Sequence, residues 1–253
     1  MNWIEKIKDN KKKVYCQSGQ DGIAKYIFQN VGTTNKFCVE FGFNDRGLTG
    51  GTGSNVARLI IEEGWISLLL DNINENPQIN LHKEFLTPQN ICEIFKKYDV
   101  PKEFDYLSVD VDSVDILLLE GILIGGYIPR VICSEYNANF DIDMSVTCRE
   151  GVVWDEMSSI YGASLLAFYI LCQNFNYVLV AAWEHTSQDL FMVRKDLISE
   201  SIIPPLKYFE KSVLLKHHAF PNKNDMLKSF VLYPSGNPIP EEYYDRLCKK
   251  LPE

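Results

Sequence analysis

The stretch "FCVEFGFNDRGLTGGTGSNVARLIIEEGWISLLLD" (37–71) decides how this chain folds. Its first five residues are apolar apart from Glu40 and suit a short buried strand. A loop rich in glycine follows (42–55), and then Val56, Leu59 and Ile60 recur at helical spacing behind a cap offered by Ser54 or Asn55. Gly64 stops that helix, and residues 65–71 form a second apolar strand whose only charge, Asp71, falls at its C-terminal end. Strand, glycine loop, helix and strand make a βαβ unit, which carries a parallel pair of strands.

The alternation continues downstream. Residues 79–85 predict a third strand, 90–98 a short helix, 106–111 a fourth strand, 116–124 a helix and 131–137 a fifth strand. After an irregular segment (138–160), residues 162–175 predict a long helix, 177–183 a sixth strand, and 190–193 a seventh strand paired antiparallel with the sixth. Upstream, Asp21 can cap a helix carrying Ile23, Ile27 and Val31. Nearly continuous apolar strands separated by helices mean an α/β fold with a mostly parallel sheet covered on both faces. Residues 1–20 are expected to be an N-terminal extension, 21–198 the main domain, and the proline-rich 199–253 a C-terminal wrapping extension.

Composition narrows the function. With 253 residues and 46% hydrophobic, the chain can build a full core. A net charge of −9 argues against a nucleic-acid binder, since such proteins coat phosphates with cations. Seven cysteines without a CxxC pair read as reduced core thiols, which points to the cytoplasm. The apolar runs are too short to span a membrane.

In open parallel sheets, ligands sit beyond the carboxyl ends of the strands, near the switch in strand order. Glu40, Asp71, Asp110, Asp112 and Glu135 all fall at or near such ends, with Asn137 beyond Glu135. A dinucleotide would meet Asn44 and Asp45 where a second phosphate-approaching glycine is needed. A cofactor carrying an ammonium, a sulfonium and a ribose diol but no phosphate suits these acids. S-adenosylmethionine is such a molecule.

The motifs "YCQSGQDGIAKYIF" (15–28), "CVEFGFNDRG" with "GSNVARLIIEEGW" (38–65), "HKEFLTPQNI" (82–91), "FDYLSVDVDSVD" (104–115), "PRVICSEYNANF" (129–140), "YGASLLAF" (161–168) and "DLFMVRKDL" (189–197) run in one order. Together they resemble the FkbM-like class I methyltransferases. The resemblance implies a Rossmann-like, seven-stranded class I fold binding S-adenosylmethionine. It implies that Glu40, Gly42 and the neighbouring Asn44 lie against the methionine part, Ser54 and Asn55 beside its carboxylate, Asp71 on the ribose hydroxyls, and Phe85, Leu86 and Thr87 around the adenine. The loop "DRGLTGGTG" is longer than is usual in that family, and Ser113-Val114 stands where Gly-Asn is common.

Residues two apart on an extended strand face the same way, so Asp110 with Asp112, and Glu135 with Asn137, are expected to converge. Asp110, Glu135 and Asn137 could then hold Mg²⁺ or Mn²⁺; alternatively these groups bind the acceptor or one another. Asp110, which also borders the cofactor, Asp112 and His185 are the candidates for taking a proton from the acceptor, although His185 also reads as a solvated turn residue. Tyr136, Asn137, Asn139 and Tyr161 are candidates for the acceptor pocket, and Asp115 reads as an acid offsetting a helix dipole.

The expectation is an S-adenosylmethionine-dependent O-methyltransferase acting on a small polar acceptor. That acceptor would be a sugar or a phosphorylated or nucleotide-linked intermediate of surface glycan (capsule) or secondary-metabolite synthesis. An anionic phospho-acceptor such as a capsular phosphoramidate is the alternative. Rivals of other classes are a nicotinamide-dependent oxidoreductase and a non-catalytic cofactor-binding module.

Overall fold

The computed structural model describes residues 2–43, 45–51, 53–155, 157–182, 189–213 and 222–248. Seven strands form one sheet: β1 (Phe37–Phe41), β2 (Ile66–Asp71), β3 (Leu81–Lys83), β4 (Glu103–Val109), β5 (Ile128–Glu135), β7 (Tyr177–Ala182) and β8 (Asp189–Arg194). Their order is β3-β2-β1-β4-β5-β8-β7, and β8 alone runs against the direction of the other six. The remaining strands, β6 (Val146–Cys148) and β9 (Phe230–Leu232), pair antiparallel in a small second sheet that the sequence did not announce.

Both faces of the main sheet are buried, which is why its strands read as almost unbroken apolar runs. Val39 and Phe41 of β1, Leu68 and Leu70 of β2, and Leu107 and Val109 of β4 pack with helices α3 (Ile91–Lys97), α4 (Asp115–Ile124) and α5 (Leu165–Asn174). The alternate positions Cys38, Leu69 and Tyr106 face α1 (Gln20–Val31), α2 (Ala57–Glu63) and the 3₁₀ turn Ile4–Asn10. Each large side chain so buried contributes about 1.5–3 kcal/mol. This layering is a Rossmann-like α/β fold. A third apolar cluster joins Phe140, Met144, Val146 and Cys148 to Met226, Phe230, Ile239 and Leu247, so the C-terminal segment packs on the chain that follows β5.

Several boundaries differ from the sequence expectation. The third strand shrinks to Leu81–Lys83 because Pro77–Ile79 form a 3₁₀ turn. The fourth begins earlier and ends at Val109, and the fifth spans Ile128–Glu135. Helix α1 starts at Gln20 behind Gly19, so Asp21 is not its cap. Instead the Asp21 Oδ2 accepts the backbone N–H groups of Val14, Tyr15 and Cys16 at 2.9, 2.8 and 2.9 Å.

Asp105, the first acid of the fourth-strand motif, is a fold anchor. It is fully buried and accepts from the backbone N–H groups of Thr34, Asn35 and Lys36 and from the Thr34 hydroxyl, with the Arg130 guanidinium 3.5 Å away. These bonds fix the turn between α1 and β1 to the entry of β4.

Candidate functional site

The strand order reverses between β1 and β4, so a crevice is expected beyond their carboxyl ends. There Gly42 has φ 70°, and a Cβ built on it would lie 1.7 Å from the Asp110 carbonyl oxygen. Only glycine lets the two chain ends meet in this way. Beyond Asp110, the Asp115 carboxylate accepts from Val111 N at 2.7 Å and Ser113 N at 3.1 Å. Asp115 is thus more than a helix-dipole acid: it folds residues 111–113 into a turn in which Asp112 adopts φ 57°. Burial pushes its pKa up to about 7, against the pull of those backbone bonds.

The turn carries Asp110 and Asp112 towards Glu135 at the end of β5. One carboxylate oxygen from each of the three lies within 4.8 Å of the others. All three are half-buried, and the Glu135 Oε2 is sealed from water with no hydrogen-bond partner. Burial first, then repulsion from Asp189, Asp115 and Asp112, holds the Asp110 carboxyl well above the usual range; Glu135 is raised by burial and then by Asp110, Asp115 and Asp112. Asp189 sits opposite Glu135 in register, is buried, and accepts from the Gln20 side chain. Carboxylates crowded to this degree favour a cation among them.

On the β1 side, the Glu40 carboxylate accepts from the Ser54 hydroxyl at 2.6 Å and Asn55 N at 2.7 Å. Ser54 in turn accepts from Val56 N and Ala57 N, and the Asn55 amide reaches the Ser108 hydroxyl on β4 at 3.1 Å. Glu40 therefore fastens the end of the glycine loop, and burial raises its pKa to about 7. The segment held by Asp21 closes over this loop: Ser54 N donates to Tyr15 O, and a Cβ on Gly53 would lie 2.6 Å from the same oxygen.

Asp71 ends β2 and is 7% exposed. Its Oδ1 accepts from Ile73 N and Asn74 N, shaping the turn that follows. Next along the edge, Phe85 is 73% exposed, Leu86 is half-buried, and Thr87 exchanges capping hydrogen bonds with Asn90 ahead of α3. The side chain of Phe85 is therefore available as an apolar surface at the end of β3.

The expected acceptor residues lie elsewhere. Asn137 does not join Asp110 and Glu135, because β5 ends at Glu135 and the strand alternation stops with it. Its side chain donates to Ser159 O and Tyr161 O and accepts from Asn139 N and Nδ2, which leaves it fully buried and fully engaged. Tyr136 is buried with its hydroxyl on Ser212 O, Asn139 is tied to Asn137, and Tyr161 packs on Trp154 with ring centroids 5.8 Å apart. These four side chains hold the post-β5 loop together, and none is exposed to an acceptor. Asn44 and His185 lie outside the described residues.

The site's missed members are Asp189 and Gln20, 169 positions apart in sequence. Only the β5–β8 register brings Asp189 beside Glu135, and no local pattern announces it. Conversely, His82 is structural: its Nε2 lies 2.8 Å from Asn80 Oδ1, and its ring stacks on Tyr98. All seven cysteines are free, and no helix among the described residues is long and apolar enough to cross a membrane. No protein-family model matches the chain, and no curated protein matches it.

Proposed function

We propose that this chain is an S-adenosylmethionine-dependent O-methyltransferase acting on a small polar acceptor, a sugar or a phosphorylated or nucleotide-linked intermediate of glycan or secondary-metabolite synthesis. The observation that carries this reading is the arrangement at the switch point. A glycine loop fastened by Glu40, the strand-end Asp71, and the Asp110–Asp112–Glu135 group all lie at or just beyond the carboxyl ends of the sheet strands. The donor set suits the cofactor: carboxylates answer an ammonium and a sulfonium, and a strand-end carboxylate can accept from a ribose diol. The motif resemblance supports the same assignment.

When bound, the cofactor supplies an electrophilic methyl group on sulfur. Asp71 would hold the ribose hydroxyls, Ser54 and Asn55 the amino-acid end, and Phe85 to Thr87 the adenine. The chain's task is to hold the acceptor oxygen in line with that methyl group, so the gain comes from orientation. Asp110 and Asp112 would be the carboxylates that take the hydroxyl proton. The same two acids with Glu135 offer oxygen ligands suited to Mg²⁺ or Mn²⁺, and the orphaned Glu135 Oε2 fits a cation partner. A metal bound there would make the acceptor hydroxyl more acidic.

A nicotinamide-dependent oxidoreductase would share the layering. Its pyrophosphate would approach a loop in which the Asp45 carboxylate is folded against Gly50, where a Cβ would collide with it, and that acid would repel phosphate. The decisive experiment is incubation with S-adenosylmethionine and pooled acceptors, with detection of S-adenosylhomocysteine. Acceptor-dependent product supports the transferase. Cofactor binding without product would return the chain to a binding module.

A further inference from the structure

Helix α1 begins with two polar residues that are almost wholly buried, Gln20 and Asp21. Asp21 holds the backbone of Val14, Tyr15 and Cys16. Gln20 reaches the other way. Its Oε1 accepts from Ser18 N at 2.9 Å and from Gly19 N at 2.8 Å, which fixes how the amide is turned and leaves Nε2 to face β8. There Nε2 donates to Asp189 Oδ2. An amide held from both ends in a buried setting cannot turn without leaving a polar group unpaired.

Asp189 is the first residue of β8 and lies directly opposite Glu135, the last residue of β5, in an antiparallel pair. Opposed residues project to the same face, with Cβ atoms about 4.5–5.5 Å apart. That face is the α1 side: Val131 and Cys133 before Glu135, and Phe191 and Val193 after Asp189, alternate into the apolar cluster that holds Ile23 and Ile27 of α1. Because β5 lies between β4 and β8, Glu135 stands between Asp189 and the turn that carries Asp110 and Asp112. The Glu135 Oε2 has no donor of its own, so nothing but its neighbours sets where that carboxylate points.

We propose that Gln20 is a positioning residue for a divalent cation: by clamping Asp189 beside Glu135, it keeps the Glu135 carboxylate at cation-binding distance from Asp110 and Asp112. This rests on the cation reading of the acidic group and adds to it the residues that hold the group in shape. A clamped Asp189 also places a fourth negative charge next to the three acids, which a cation among them would feel as attraction. The Ser18-Gly19-Gln20 part of the N-terminal motif thereby acquires a task in a site formed more than a hundred residues downstream.

The test is titration of the full chain with Mn²⁺, the free ion read by electron paramagnetic resonance, in the parent, Q20A, D189N and D110N. The parent should bind Mn²⁺ saturably, and D110N should lose that binding. Q20A should bind about tenfold more weakly or worse, the range for residues that hold metal ligands in place, and so should D189N, which keeps an oxygen for the Gln20 amide but removes the charge. A merely structural Gln20 would lower the urea midpoint of Q20A and leave the Mn²⁺ affinity of the folded protein unchanged. That result overturns the proposal, as does absence of saturable binding to the parent or parent-like affinity in D110N. Should circular dichroism show Q20A unfolded, parent-like affinity in D189N overturns it. A parent that binds Mn²⁺ but not S-adenosylhomocysteine keeps the cation site and rejects the cofactor reading; one that binds S-adenosylhomocysteine but not Mn²⁺ rejects the cation site and this proposal, and leaves the transferase reading standing.

Discussion

The α-carbon of Gly42 and the carbonyl oxygen of Asp110 approach so closely that a Cβ on Gly42 would lie 1.7 Å from that oxygen. The contact joins the ends of β1 and β4 at the point where strand order reverses, and it fixes where the acidic turn begins.

Gly42→Ala should therefore be costly twice over. A left-handed φ of 70° disfavours alanine, and the methyl group displaces Asp110. The expected loss is about 2–4 kcal/mol, read from urea unfolding. A variant within about 0.5 kcal/mol of the parent would show that the contact relaxes freely.

Asp105 compensates three backbone N–H groups, a hydroxyl and Arg130 in a fully buried setting. Asp105→Ala leaves the donors unpaired and should destabilise by about 3–5 kcal/mol. Because Asp105 lies at the opposite end of β4 from Asp110, a folded fraction should keep its cofactor affinity, and a selective loss of that affinity would contradict an anchoring role.

Stability without ligand should fall as pH rises from about 4 to about 7. Burial raises both Asp115 and Glu40 to about 7 in the folded chain, so the native state binds more protons than the unfolded chain across that window. Every tenfold difference in proton affinity between the folded and unfolded states is worth about 1.4 kcal/mol, so two such groups make the slope measurable. Urea unfolding at pH 5 and pH 8 should show the lower stability at pH 8, with Asp115→Asn narrowing the difference. A parent whose stability rises across this range would contradict both assignments.

The four opening elements were readable because their signals are local: a five-residue run apolar apart from Glu40, a glycine loop, a spaced helix and a strand ending in Asp71. The acidic group was legible in part. Strand alternation nominated Asp110 and Asp112, yet β4 ends at Val109, and they converge through the turn tied by Asp115. The same rule failed for Asn137, whose amide closes the loop after β5. Asp189 depends on strand pairing across the sheet, which no short window records.

If a divalent cation occupies the acidic group, turnover should be supported by Mg²⁺ or Mn²⁺, fall on dialysis against EDTA, and vanish in Asp110→Asn. Full turnover of the dialysed protein would leave the three acids with proton transfer and acceptor contacts alone.

The central claim, a proposal, is that the edge beyond the carboxyl ends of β1, β2 and β4 takes S-adenosylmethionine. Titration calorimetry with S-adenosylhomocysteine and, separately, NADH tests it most directly, with Asp71→Asn as the internal control because it keeps the Oδ1 acceptor for Ile73 and Asn74. The account predicts one-to-one binding of S-adenosylhomocysteine, weakened by about 1.5–3 kcal/mol in Asp71→Asn, and no heat with NADH. Binding of NADH in place of S-adenosylhomocysteine, or identical affinity in the folded variant, would contradict it.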